Sequence, residues 1–257
     1  MIPFFRKIRY ELSSDGKFFK YLRYAIGEIF LVVIGILLAL QINNWNEHQK
    51  EVRKSRGYLK EFRKDLVRDT LSFNEGLRIL GKEMNEELWA LGKVDYELTD
   101  ADSILLAKNT VYFARKIITR TFNNVQNSGN SNLVGYDSLF VTISDYYTTT
   151  NELVEAMAQW EVSTVAINEP YKNRFKEEIE YTNAFFRRSR DAQDPFDFPM
   201  VSDPEDQAEK LVSFGTSVAG RNHFKENYRR HLALERSFHY TIQEAKDLIE
   251  EIDQALD

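Results

Sequence analysis

His231, Glu235 and His239 recur at i, i+4 and i+8, which places them on one broad face of a helix. Two imidazoles and a carboxylate are the ligand types that open a metal site. Helical zinc motifs set their ligands closer together than this. The remaining histidines, His48 and His223, supply no second His-x-x-x-His pair. His231 and Glu235 also fall within an apolar seam, where a paired polar layer fixes the register of a helix. The expected role of the three residues is therefore a polar seam, with a metal site as the weaker reading.

Other constellations are less specific. Glu86–Glu87, Glu177–Glu178 and Glu250–Glu251 read as solvated helix faces in a chain with forty acidic residues. Phe185, Phe186, Arg187, Arg188 and Arg190 could grip an anionic partner, but basic residues also complement the dipole at a helix C-terminus. There is no glycine-rich phosphate loop, no nucleophile elbow and no His-Glu-x-x-His. Zero cysteines exclude thiol catalysis. No catalytic residue and no cofactor is assigned.

Glu28 is set apart by its surroundings. It lies inside Ala25–Ile42, an otherwise apolar run broken only by Gln41. A carboxylate at the centre of a membrane span costs about 2.5–3.5 kcal/mol on insertion scales and marks a functional site by default. Near an interface it can instead snorkel toward water. Glu28, Gly35 and Ile42 are seven apart with Ala39 beside them, so the carboxyl shares a stripe with small residues that permit close helix approach. Glu28, Gly35 and Ala39 are the expected membrane helix contact.

The elements that must carry these residues follow from pattern. Residues 25–45 have the length and apolarity of one transmembrane helix, with Tyr24 and Trp45 at its edges. The run is too long for a signal-peptide core and Leu38-Ala39-Leu40 is no cleavage site, so an uncleaved anchor is expected. Residues 1–24 read as a basic amphipathic tail, with Ile2, Phe4, Phe5, Ile8 and Leu12 near helical spacing.

Past the span, Leu59, Phe62, Leu66, Phe73, Leu77, Leu80, Met84, Leu88 and Leu91 keep helical period, predicting a long stalk helix that bends at Gly76 or Gly81. Further helices are predicted from Asp100 or Asp102 to about Ile118, from Asp137 to Pro170, from Tyr171 to about Arg188, from a Ser202–Glu205 capping box to about Phe214, and from Arg221 or Asn222 to the end. Leu139, Ile143, Tyr146, Thr150, Leu153, Met157, Trp160, Thr164, Ile167 and Tyr171 form one 4-3 seam. Phe224, Tyr228, His231, Glu235, Phe238, Ile242, Ala245, Ile249, Ile252 and Leu256 form another. Residues 189–207, with three of the five prolines, form a loop within a 46–257 bundle domain.

Net charge is −6, and residues 1–24 carry six basic against two acidic residues, so the bulk is acidic and nucleic acid is not an expected partner. The basic tail suits an anionic lipid leaflet. Lys and Arg flank the span equally, six in residues 3–23 and six in residues 43–63, so charge alone leaves the orientation tied.

The run KYLRYAIGEIFLVVIGILLALQINNWNE, preceded by FFRKIR, resembles the opening of a large Bacteroidota family known only as a domain of unknown function. Thr121-Phe122, Ser128-Gly129-Asn130, Leu139, Ile143 and Tyr146-Tyr147 are similar to its second block, and Leu234 to Phe238 to its ending. The resemblance implies a single-span protein of the bacterial inner membrane with a periplasmic C-terminal domain, and it carries no catalytic residues. It makes the Thr121, Ser128, Gly129 and Asn130 region a tight structural corner, with a ligand-contacting loop as the alternative.

The expected architecture is all-α: one N-terminal transmembrane helix, a long stalk and an antiparallel bundle. The leading functional expectation is a non-enzymatic scaffold or sensor-like module that contacts lipid and either itself or another membrane protein. The alternatives are a metal-dependent envelope enzyme using His231, Glu235 and His239, and a ligand-binding sensor with a pocket between bundle helices.

Overall fold

A computed structural model describes residues 18–108, 112–128, 132–167, 175–183 and 198–257. All regular structure among them is helical: α1 (Phe18–Gly92), a 3₁₀ turn (Leu98–Asp100), α2 (Ala101–Ala107), α3 (Arg120–Asn127), α4 (Asp137–Asp145), a π-helical turn (Tyr146–Thr150), α5 (Asn151–Ile167), α6 (Pro204–Thr216) and α7 (Val218–Leu256). The amphipathic pattern of the first twelve residues and the Phe185–Arg190 run lie outside the described residues.

The chain forms two compact units. The first comprises residues up to Gly57 together with Leu133–Gly135. It contains the apolar part of α1, which is long and apolar enough to cross a membrane, with a mean hydropathy of 2.5 over its best window and none of that window buried. Gly135 sits at φ 83°, a backbone setting that favours glycine, and a Cβ there would lie 3.4 Å from Val52.

The second unit holds Tyr58–Asn132 and Tyr136–Asp257. Within it α1 and α7 run antiparallel. Arg63 pairs with Asp253, Phe73 meets Phe238 edge-on at 5.1 Å, His231 meets Glu87, and the Arg221 guanidinium donates to the carbonyls of Ala90, Leu91 and Lys93. This last contact supplies the hydrogen bonds that the end of α1 lacks. Gly76 does not end the helix. A Cβ there would lie 2.8 Å from the Phe238 ring, so glycine admits α7 close to α1.

Several predicted elements differ. The helix expected to reach Ile118 stops at Ala107, and residues 112–119 lie as a non-helical strap. The expected Tyr171–Arg188 helix is helical only at residues 175–178 and 183 of its described part. The α6 N-cap is Asp203, whose side chain accepts from the Glu205 and Asp206 amides, while the Ser202 hydroxyl donates to Glu180 instead. The gap expected between a helix ending near Phe214 and one starting at Arg221 or Asn222 shrinks to Ser217, which caps α7 by accepting from the Gly220 amide.

The seams also shift. Leu139, Ile143, Tyr146 and Thr150 are buried as the 4-3 pattern requires, but Val154 and Glu161 follow in place of Leu153 and Trp160. The π turn lies between, and its wider winding accommodates an extra residue, moving the buried face on by one. In α7 every seventh residue from Phe224 to Ile252 is buried as expected. The intervening core positions are Asn227, Leu234, Thr241 and Leu248 rather than Tyr228, Glu235 and Ile249, with Ile242 buried beside Thr241.

A buried carboxylate array as the candidate functional site

The inward face of α1 carries two pairs of acids one turn apart, Asp65 with Asp69 and Glu83 with Glu87. Asp65, Asp69 and Glu87 are at most 1% exposed. Each of these three has a local reason for being there, since an ionisable group buried without partners would be strongly destabilising.

The first layer is Asp65 and Asp69. Asp65 accepts from the Thr121 hydroxyl at 2.5 Å and from the Arg120 guanidinium at 3.0 Å, which ties the start of α3 to α1. Asp69 accepts the Ile118 amide at 3.0 Å. Burial pushes the Asp69 carboxyl up to about 7, against the pull of that amide and with help from the charge of Asp65. Tyr146 and Tyr147, on the π turn, stand near these acids. Burial raises both phenols, and neither hydroxyl has a hydrogen-bond partner among the described residues. Tyr147 stacks on Phe122 at 4.9 Å and touches Phe62.

The second layer is a chain of four groups. Glu161 accepts from Arg230 at 2.5 Å and from the Phe113 amide at 3.0 Å. The Arg230 guanidinium also faces His231 Nε2 at 2.7 Å, and His231 Nδ1 faces the Glu87 oxygens at 2.9 and 3.0 Å. A guanidinium only donates, so Nε2 must accept, and the imidazole proton sits on Nδ1 and is given to Glu87. Burial and the adjacent Arg230 charge push His231 down to about 2, so the imidazole is neutral and its contact with Glu87 is a hydrogen bond rather than an ion pair. Burial pushes Glu87 up to about 9, with Arg230 opposing and Glu83 adding to the rise. Glu161 is raised by burial and pulled back by the Phe113 amide, then by Arg230 and the Ala114 amide. The layer therefore holds one ion pair, Arg230 with Glu161, beside a neutral imidazole and a protonated Glu87. Phe113 closes it with an edge-on contact to His231 at 5.2 Å.

Both layers hold the strap. Residues 112–119 have no helical partners for their amides, and buried amides require acceptors. Glu161 takes the amide of Phe113 and Asp69 that of Ile118, while Phe113 and Ile117 fill the core between them. The array binds a segment of its own chain.

Residues 28–148 match the model of a family of unknown function, DUF6090. No curated protein and no solved structure matches the chain. The matched region begins inside the apolar helix and ends in the π turn. It takes in the Asp65, Asp69, Glu87 and Thr121 side of the array and stops before Glu161, Arg230 and His231.

The residues singled out from sequence separate. His231 is fully buried, but its partners are Arg230 and Glu87; Glu235 is only partly buried and His239 is exposed. Among the described residues no group of three or more His, Asp or Glu is placed to hold a metal ion. Thr121 is buried on Asp65, and the Ser128 hydroxyl donates to the Val125 carbonyl. Gly129 and Asn130 lie outside the described residues. Glu28, Gly35 and Ala39 sit on an exposed helix surface, with nothing within 4 Å of the place a Gly35 Cβ would occupy. Glu177, Glu178, Glu250 and Glu251 are exposed as expected, whereas Glu87 belongs to the core.

The acids of the array were missed because residues were read by type. Their signal is positional: Asp65, Asp69, Glu83 and Glu87 share the stripe of Phe62, Leu66, Phe73, Leu80 and Met84.

Proposed function

We propose that the chain is a single-span protein of the bacterial inner membrane whose helical domain works by contact with other proteins, without catalysis. The observation that carries this reading is the apolar segment of α1, none of which is buried. Eighteen or more such residues are poorly tolerated in water, and a bilayer covers them. The internal use of the buried ionisable groups supports the non-catalytic part, because acid–base work requires a group within reach of substrate. Glu28, Gly35 and Ala39 form the membrane contact in this reading, between two copies or with a partner span, and the C-terminal domain is periplasmic.

The lack of native cysteine makes the test clean. Full-length protein carrying Asp257→Cys should stay with membranes through carbonate washing and should react with an impermeant maleimide once the outer membrane alone is opened. Release by carbonate would end the anchor reading, and labelling only after the inner membrane is breached would reverse the orientation. Copies carrying Ile42→Cys should cross-link, and Gly35→Leu should suppress that cross-link more than Leu31→Ala does. Equal cross-linking in both variants would remove self-contact along this stripe.

A further inference from the structure

Three exposed cations follow the apolar segment of α1: Lys50, Arg53 and Lys54. At about 100° per residue they share one face of the helix. The opposite side is occupied within the same unit. Ser55 is buried there, and the returning segment Leu133–Gly135 brings Gly135 beside Val52. Residues 46–57 hold four basic residues against two acidic, so this stretch is positive in a chain whose net charge is −6.

Basic residues beside an apolar helix are common. Direction sets these apart. Every Cα–Cβ bond in an α-helix tilts toward the N-terminus, and a long side chain covers the turn before its own Cα. For Lys50, Arg53 and Lys54 that is the direction of the apolar segment. The geometry follows the tilt. Arg53 Nε donates to the Gln49 carbonyl at 3.2 Å, and the Lys54 ammonium lies 4.0 Å from Glu51, each reaching back about one turn. Neither Lys50 nor Arg53 has an ion-pair partner among the described residues. Arg23, which precedes the segment, tilts away from it by the same rule, so cations that flank the segment in equal number do not reach it equally.

Depth agrees with direction. Lys50 lies about 7.5 Å past Trp45 along the helix axis and Lys54 about 13.5 Å. The headgroup layer beyond a hydrocarbon core is about 5–8 Å deep. A lysine stem of bonds of about 1.5 Å reaches about 6 Å, so the backward lean returns these charges to the level of the phosphates.

We propose that Lys50, Arg53 and Lys54 form a docking face for anionic phospholipid in the leaflet beside Trp45. The inference rests on α1 spanning the bilayer. A guanidinium offers phosphate oxygens paired donors, and the two ammonium groups add point charge. The occupant is lipid rather than an acidic protein because the charges lean toward the span, and lipids around a span present their headgroups at that level.

The experiment uses full-length protein in vesicles of phosphatidylcholine and phosphatidylglycerol, with one or the other lipid brominated near the top of its acyl chains, and reads tryptophan quenching. Bromine quenches only at short range, and of the three tryptophans Trp45 alone borders the apolar segment. Trp45 should favour contact with phosphatidylglycerol by about threefold or more, and high salt should reduce the preference. The triple variant Lys50→Gln/Arg53→Gln/Lys54→Gln should be quenched equally by either lipid. Lys82→Gln, exposed late in α1, should keep the wild-type preference. Equal quenching in the wild type would overturn the proposal and leave the face to an acidic protein partner, with the anchor intact. A preference that survives the triple substitution would also overturn it. If neither brominated lipid quenches Trp45, the anchor reading falls as well.

Discussion

Arg230 and Glu161 provide the sharpest test of the second layer. The two side chains are 1% and 0% exposed. Removing one partner of such a pair leaves an uncompensated buried charge and typically costs 3–5 kcal/mol. Arg230→Met should therefore lower the melting temperature on the order of 10 °C, at about 2–4 °C per kcal/mol for a domain of this size. Glu161 has a second duty, accepting the Phe113 amide. Adding Glu161→Gln to Arg230→Met removes the stranded charge but keeps an acceptor for that amide, and should recover about 2 kcal/mol. Adding Glu161→Leu instead removes the charge and orphans the amide at about 1–3 kcal/mol, so that double variant should recover less. Thermal and urea unfolding of full-length protein in detergent, followed by circular dichroism, reads all three. The reasoning fails if Arg230→Met costs under about 1 kcal/mol, or if the Gln and Leu double variants are equally stable.

Two further tests probe other parts of the unit. Glu87 has its carboxyl raised from an ordinary 4.5 to about 9, so the folded protein keeps a proton that the unfolded chain has released. Its stabilising contribution is complete below about 4.5 and is lost as pH rises toward 9, because stability falls wherever the folded state binds more protons. The melting temperature should drop between pH 7 and 9, and Glu87→Gln should flatten that slope; an unchanged slope in the variant would assign the proton elsewhere. Gly76→Ala should destabilise by about 1–3 kcal/mol, because its Cβ would sit 2.8 Å from a Phe238 ring already fixed against Phe73. Gly81→Ala, with nothing within 4 Å, should stabilise by about 0.5–1 kcal/mol, and the same sign at both glycines would contradict the close approach of α7 to α1.

The helical class was legible because the apolar period runs through nearly every segment, and because local pattern and tertiary burial agree along most of α7. What misled was the assumption of uniform winding and of local hydrogen bonding. The π turn moves the buried face of α5 from Trp160 to Glu161, and no propensity in Tyr-Tyr-Thr-Thr-Thr marks where the extra residue enters. The segment from Ile104 to Ile118 has apolar residues at helical spacing, yet residues 112–118 are non-helical. The acceptors that make this affordable, Asp69 and Glu161, come from residues about 49 and 48 positions away. Long-range partners of this kind leave no trace in a local window.

The same geometry separates two kinds of acid in this molecule. A carboxylate beside a histidine in a low-dielectric setting usually invites an acid–base assignment. Here Asp65, Asp69, Glu87 and Glu161 each face a hydroxyl, amide, imidazole or guanidinium of the chain itself, and the raised carboxyls of Asp69, Glu87 and Glu161 follow from the burial that those contacts require. Their perturbed chemistry is a consequence of holding the strap. The cleft between the π turn and α7 has the opposite character. Its acids, Asp145, Glu244, Asp247 and Glu251, lie at the surface, and none of its lining residues among those described is Lys or Arg. Strong pKa shifts therefore mark the structural array, where burial and the strap's hydrogen bonds set them.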